Sequence, residues 1–222
     1  MKHYKTMKLN QQQQDLLIGT LLGDGNLQSE TKGRTWRYRA LHQAEHKEYL
    51  LHKYDVVKTL CSSPPIYDEI FDQRSQKTDK RWYFNTQVNE SLRLYGNLFY
   101  TLDPKTFLLV KDVPEKIELF LTPKAVAYWY MDDGALKWLG KSNAMRISTE
   151  SFSEEGVNRL QKALKKLYGI ETNKVRKTNQ NVFIGYRIGI NEQNSANFRE
   201  LIKPHLIDCM KYKVSDGNKG HL

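Results

Sequence analysis

Leu17-Ile18-Gly19-Thr20-Leu21-Leu22-Gly23-Asp24-Gly25 has a counterpart half a chain later, Val126-Ala127-Tyr128-Trp129-Tyr130-Met131-Asp132-Asp133-Gly134. Both are apolar runs of helical character ending in Asp-Gly, and the two acids, Asp24 and Asp133, stand 109 residues apart in a chain of 222. A single Asp-Gly would mark no more than the turn that closes a helix. An apolar helix that delivers Asp-Gly once per half predicts two similar units meeting around a carboxylate pair. Converging carboxylates hold divalent cations, and phosphodiester hydrolysis is a common use of them.

Working outward, Asn10 with Gln13 three residues on reads as a capping box for a helix reaching about Gly23. The polar stretch 29–33 predicts a hairpin loop, followed by a strand over 35–43, a helix over 45–60 that Pro64-Pro65 follows, strands over 66–73 and 80–87, and a helix over 90–101. The second half repeats the order. Thr122 caps a helix with Pro123 in its first turn, running to Asp132; strands follow near 136–138 and 144–149. Ser153 opens a helix closed by Gly169, strands over 172–178 and 182–190 come next, and a helix over 194–203 ends the series. The class is α+β, two αββαββα repeats over 1–102 and 122–222, with 103–121 as the linker carrying Pro104 and Pro114.

Composition narrows the partner. Thirty-five basic against 25 acidic residues give a net charge of +10, which points to a polyanion and first to nucleic acid. No apolar run approaches the roughly 18 residues of a membrane span, and no apolar segment follows the basic start Met1-Lys2-His3-Tyr4-Lys5, so the reading is an intracellular protein without a membrane partner. Cys61 and Cys209 stand alone, without metal-site spacing, as reduced thiols.

The strands carry the nucleic-acid signal. Alternation puts Arg81, Tyr83, Asn85 and Gln87 on one face, and Arg37, Arg39 and Gln43 on one face opposite Trp36, Tyr38 and His42. In the second half it groups Arg146, Ser148 and Glu150, and also Thr172, Lys174, Arg176 and Thr178; Arg34, Lys137 and Arg187 add cations on or beside these strands. Such side chains reach base edges and phosphates of duplex DNA.

The two nonapeptides, with Leu121-Thr122-Pro123 leading into the second, resemble the paired motifs of the LAGLIDADG homing endonucleases of the single-chain, two-motif type. The resemblance covers nearly the whole chain. It implies motif helices packed at a pseudo-twofold axis, antiparallel saddle-shaped sheets, and a monomer that needs no partner subunit. By the same resemblance Asp24 and Asp133 are the eighth-position acids presented to the scissile phosphates, and Gly23 and Asp132 offer backbone carbonyls to the metals. Tyr128 stands where the family has glycine, so a large residue is expected against Gly19. Gly25 and Gly134 are expected to let the chain leave each helix at an unusual backbone angle.

Lys111 and Lys213, 102 residues apart, resemble the family's two basic residues that stabilise developing charge or order the attacking water. Gln43 and Glu150 match strand-end positions that order water. The resemblance implies a Mg2+-dependent double-strand cut that promotes mobility of a host intron, with Mn2+ able to substitute and Ca2+ supporting binding without cleavage. It also brings an organellar setting by association. Two half-sheets, with strands ~4.8 Å apart, span on the order of 15–20 base pairs, and their unlike faces predict an asymmetric target. The alternatives are an RNA maturase on the same scaffold, assisting group I intron splicing, and a DNA-binding regulator that cuts nothing.

Overall fold

The structure, a computed structural model, describes residues 8–74, 76–138 and 141–214. Helix α1 (Gln11–Leu22) opens with the expected capping box: Asn10 Oδ1 accepts from the Gln13 amide at 2.9 Å, and Gln13 Oε1 accepts from the Asn10 amide at 3.1 Å. Its counterpart α4 (Pro123–Asp133) starts at Thr122, whose hydroxyl accepts from the Ala125 amide at 3.1 Å and donates to Asp15 Oδ1 at 2.8 Å. The cap of the second motif helix is thus tied to the first. Past their polar first turns both helices are enclosed on every side, over residues 15–22 and 125–131; Leu16, Leu17, Leu21, Ala125, Trp129 and Tyr130 are wholly buried.

The helices can approach because Gly19 carries no side chain. A Cβ there would lie 2.3 Å from the Ala125 carbonyl oxygen and 2.5 Å from Tyr128 Cβ. The large-on-small contact expected at Tyr128 is present. Gly25 and Gly134 serve a different purpose from the one expected. Neither adopts the left-handed backbone region; Gly134 has φ −81° and ψ 150°, extended backbone open to any residue. What they provide is space. A Cβ on Gly134 would meet the Tyr130 ring at 2.2 Å, and one on Gly25 the Thr20 hydroxyl at 2.8 Å.

Around this seam each half builds the same antiparallel sheet. The first is ordered β1-β2-β4-β3, from β1 (Asn26–Gln28), β2 (Arg37–Gln43), β3 (Ile66–Asp72) and β4 (Lys77–Asn85), with α2 (Lys47–Val57) between its hairpins and α3 (Arg93–Phe99) after them. The second is ordered β7-β8-β10-β9, from β7 (Gly134–Trp138), β8 (Ser142–Ile147), β9 (Asn173–Asn179) and β10 (Val182–Ile190), with α5 (Glu154–Tyr168) and α6 (Glu192–Ile202) in the matching places. Ser153 and Gly169, at φ 66°, bound α5 as expected.

Most element ends shift by one to three residues from those expected, and two of the differences bear on the site. The helix expected to reach Thr101 ends at Phe99. Tyr100–Leu102 (β5) pairs instead with Leu109–Lys111 (β6), closed by the Asp112 amide on the Phe99 carbonyl at 2.8 Å and the Asp103 amide on Leu108 at 2.9 Å. The aromatic and β-branched residues there suit a strand better than a helix. The linker is therefore a hairpin that ends on Lys111. Strand β7 begins at Gly134, directly at the helix end, two residues before the expected start. Among the described residues no helix is long and apolar enough to cross a membrane.

Candidate active site

The C-terminal ends of α1 and α4 converge. The Asp24 amide donates to Asp132 Oδ2 at 3.1 Å, across the seam between the halves. Asp24 has a half-exposed carboxylate, yet lost hydration and then the Asp132 charge hold its carboxyl above the usual range, while Lys53, Lys213 and Lys111 pull the other way. Asp133 is pushed up to about 8, by burial first and then by the charges of Asp24 and Asp132. For both acids the first cause is lost hydration and the next is a neighbouring acid, and the lysines offset these only in part.

The two lysines expected at the site arrive there in matching positions. Lys111 Nζ donates to the carbonyls of Gly23 at 3.3 Å and Gly25 at 3.2 Å. Lys213 Nζ donates to Met131 at 2.5 Å and Asp132 at 2.9 Å. Burial lowers both lysines below the ordinary value, against the pull of Asp24, Asp132 and Asp133. Gly23 and Asp132 hold equivalent places in their motifs, so each lysine marks the same carbonyl of its own half.

Asp132 is the residue whose side chain the sequence reading left without a task. Its carboxylate is wholly buried. Oδ1 accepts from Lys53 Nζ at 2.6 Å and from the Tyr49 hydroxyl at 2.8 Å. Neither Lys53 nor Tyr49 was expected at the site. A signal existed: Tyr49, Leu50, Lys53 and Val57 form one helical stripe, and a lysine inside an apolar stripe needs a buried acid. His42 was also passed over as a strand residue facing inward. Its Nδ1 lies 3.9 Å from Asp24 Oδ2, burial drives its pKa down to about 3, and its buried Nε2 has no hydrogen-bond partner among the described residues.

Gln43 ends β2 exposed, opposite Arg81. Glu150, its expected equivalent, lies past the end of β8 in a turn rather than at a strand end, and gives its carboxylate to Arg187, so the two positions differ in kind. Ser148 lies beside the second motif, its amide donating to the Asp133 carbonyl at 3.1 Å.

The residues present fit a hard divalent cation. The carboxylates of Asp24 and Asp133, each raised by burial and by acidic neighbours, and the carbonyls of Gly23 and Asp132 offer oxygen donors alone. Ligand atoms of Asp24, His42 and Asp132 also lie within 4.8 Å of one another. Both oxygens of the Asp132 carboxylate are taken, by Lys53, Tyr49 and the Asp24 amide, and the side chain is wholly buried; its carbonyl accepts from Lys213 and keeps a second lone pair, which makes it the better donor.

Strand register decides which side chains face outward. In the first sheet Arg39 stands opposite Asn85 and Asn26, Gln43 opposite Arg81, and Arg37 opposite Gln28, all on the face away from buried Tyr38, Ala40 and Phe84. Tyr83 belongs to this face and stacks under Arg39 at 4.8 Å, while Arg81 pairs with Asp68 at 3.1 Å. Arg34 is exposed in the loop before β2, and Gln87 is exposed just past β4.

In the second sheet Arg146 faces Gly189 and Ala135, opposite in sense to Met145, Ile147, Ile188 and Ile190. Lys137 and Arg187 share its side. Lys174 and Arg176 do not: register sets them against Ile188 and Tyr186, on the helix side, where Lys174 pairs with Glu154 of α5. Asn173, Val175 and Lys177 take the outward places instead. Polar residues at both parities of β9 hid this, and only the partner strand resolves it. A groove of about 650 Å³ lies on this outward face, lined among others by Lys137, Arg146, Lys177 and Arg187, and exposed Arg176 also borders it although its register is that of the helix side.

Paired acids at the ends of two packed helices, each with its lysine and each flanked by a basic, polar-faced sheet, define a polynucleotide-cleaving scaffold with two half-sites. The chain belongs to the LAGLIDADG DNA endonuclease family, whose profile matches residues 14–198. It is 60% identical over 218 residues to the DNA endonuclease I-ChuI of Chlamydomonas applanata, covering 97% of this chain and 100% of that one. A more distant relative, the cytochrome b mRNA maturase bI2 of Saccharomyces cerevisiae, is 25% identical over 94% of this chain and 48% of its own. The fold matches the homing endonuclease I-WcaI, solved on its DNA recognition sequence, with a TM-score of 0.82 at 23% identity, over 95% of this chain and 88% of that one. It also matches I-DmoI in complex with DNA and Mn, with a TM-score of 0.53 at 15% identity over 88% and 99%.

Proposed function

We propose that this chain is a site-specific homing endonuclease that, as a monomer, makes a divalent-metal-dependent double-strand break in a long asymmetric DNA target and so promotes mobility of its host intron. The observation that carries the reading is the convergence of Asp24 and Asp133, each with its lysine on the neighbouring carbonyl, between two outward basic faces. Arg37, Arg39, Arg81, Tyr83 and Asn85 bind one half-site, and Lys137, Arg146, Ser148, Lys177 and Arg187 the other. Asp24 and Asp133, with the carbonyls of Gly23 and Asp132, would hold the cation, which supplies Lewis-acid activation of water and charge neutralisation at the phosphate. Lys111 and Lys213 place positive charge where the phosphate becomes more negative.

Mg2+ is the expected ion, with Mn2+ substituting and Ca2+ supporting binding alone. An organellar intron is the setting this reading implies. The maturase relative gives the RNA-binding alternative its support. Incubation with a randomised duplex library and Mg2+, followed by sequencing of the ends, tests the proposal. One recurrent cut site, lost in EDTA and in Ca2+, is expected. Retention of duplex without any cut end in Mg2+ or Mn2+ would leave the binding-only readings standing instead.

A further inference from the structure

The two motif helices stop at different distances from their acids. Helix α4 runs through Asp133, so that acid sits inside the helical ladder. Helix α1 ends at Leu22; the Thr20 carbonyl takes the amides of Gly23 and Gly25, and the Asp24 amide between them has no helical acceptor. Its partner comes from the other half, in Asp132 Oδ2 at 3.1 Å. We propose that Lys53, acting through Asp132, is a positioning residue for Asp24.

The geometry is that of a clamp. Tyr49 and Lys53 lie four apart on one face of α2 and both donate to Asp132 Oδ1. That fixes the carboxylate plane and leaves Oδ2 aimed at the Asp24 amide. Lys53 is further held over the Tyr49 ring, with Nζ 4.4 Å from its centre. Room for the clamp comes from Gly23, where a Cβ would sit 2.5 Å from Asp132 Cβ and 2.8 Å from Oδ2. The equivalent motif positions thus divide the work: glycine on one helix makes space, and aspartate on the other fills it. Both oxygens of Asp132 accept, so only a carboxylate satisfies both sides. An amide would present a donor either to Lys53 and Tyr49 or to the Asp24 amide. The clamp joins α2 of the first half to α4 of the second, and Asp24 stays in register only while the halves are docked.

The catalytic consequence rests on the endonuclease reading, and the test separates the two. The variants are Lys53→Met, which leaves Asp132 Oδ1 held by Tyr49 alone, and the apolar pair Lys53→Met/Asp132→Leu; replacing both members of a buried ion pair is often neutral for stability, whereas removing one is costly. The first readout is the exchange rate of the Asp24 amide hydrogen in the free protein, which needs neither DNA nor metal; about tenfold acceleration or more is expected in both variants. The second is single-turnover nicking of each strand of the target. A misplaced acid costs on the order of 10²-fold, so the strand served by Asp24 should slow by that amount and the other strand by less, because the acids share one site; Ca2+-supported binding should be little changed, and the ratio of the two strand rates should shift. Native Asp24 exchange in either folded variant would overturn the clamp, whatever the cleavage data show. Equal slowing of both strands would reduce it to a general structural pair. A native chain that cuts no DNA in Mg2+ would sink the endonuclease reading and leave amide exchange to decide the role of Lys53. Should the double variant not fold, Lys53→Met carries both readouts alone.

Discussion

At the first motif end Asp24 is half exposed, lies beyond its helix, and is held by a carboxylate from the other half. At the second, Asp133 ends its own helix, is more enclosed, and has its carboxyl pushed up to about 8. The backbone plan is repeated: helix, acid, strand, and a lysine on the preceding carbonyl. The side chains around it are not. Asp132 stands where Gly23 does, and Glu150 paired with Arg187 stands where an exposed Gln43 does. A chain carrying both halves is free of the constraint that two identical subunits would impose, so each half can be fitted to its own strand while sharing one seam.

The strongest way to break this comparison is to neutralise each acid in turn. Asp24→Asn and Asp133→Asn each keep the carboxylate's shape and remove the charge that holds a cation at phosphate. Each should lower double-strand cleavage by about 10⁴-fold or more while leaving Ca2+-supported target binding intact. Neither should survive as an efficient nicking enzyme, because the acids share one crowded site. A plasmid carrying the target reports this directly: accumulation of nicked circles at native rate in one variant would show two independent centres. Lys111→Ala and Lys213→Ala come next, at roughly 10²- to 10⁴-fold in rate with little change in binding. Lys213 makes the shorter contacts, 2.5 and 2.9 Å against 3.2 and 3.3 Å, so its loss should be at least as large. Native cleavage by either variant at saturating enzyme would return that lysine to the surface.

These four residues were legible because they repeat at half-chain spacing, and repetition is visible in a string. The element order was legible for the same reason, together with the caps at Asn10, Thr122 and Ser153. The clamp was not. Asp132 and Lys53 are 79 residues apart, and no local pattern says which buried acid a buried lysine will find. The outward side of β9 was illegible because Lys174 and Lys177 offer equal polarity at opposite parities, and the choice is made by Ile188 on the neighbouring strand. Gly25 and Gly134 were assigned to an unusual backbone angle, whereas the rings and hydroxyls that they clear belong to residues five and four positions back, Thr20 and Tyr130.

The seam itself can be compared with the periphery. Gly19→Ala drives a methyl group to 2.3 Å from the Ala125 backbone oxygen, which cannot retreat without parting the motif helices. Overpacking of this kind typically costs about 1–3 kcal/mol. Gly169→Ala meets nothing within 4 Å and bears only the left-handed backbone at φ 66°, a cost of roughly 1–2 kcal/mol. Urea midpoints should therefore fall in both. Only Gly19→Ala should also slow cleavage, because only it displaces Asp24 from Asp132.

The smallest effect, and the one that sharpens the comparison of the two acids most, lies in pH. A carboxyl whose folded value is raised binds its proton more tightly in the folded chain than in the unfolded one. The stability it contributes is fully present below the ordinary carboxylate range and is lost as pH rises through the folded value, about 8 for Asp133. The metal-free protein should thus melt a few degrees lower at pH 9 than at pH 6. Lys111 and Lys213, held below the ordinary lysine value, act in the opposite sense towards the alkaline end and limit the fall there. A divalent cation competes with the proton, so added Mg2+ should raise Tm more at pH 9 than at pH 6. Asp133→Asn should flatten most of this dependence. Asp24→Asn should flatten less of it, because Asp24 is half exposed to water that screens its neighbours. Equal flattening by the two variants would mean that the acids titrate as one coupled pair and that the asymmetry of their surroundings does not reach their protons.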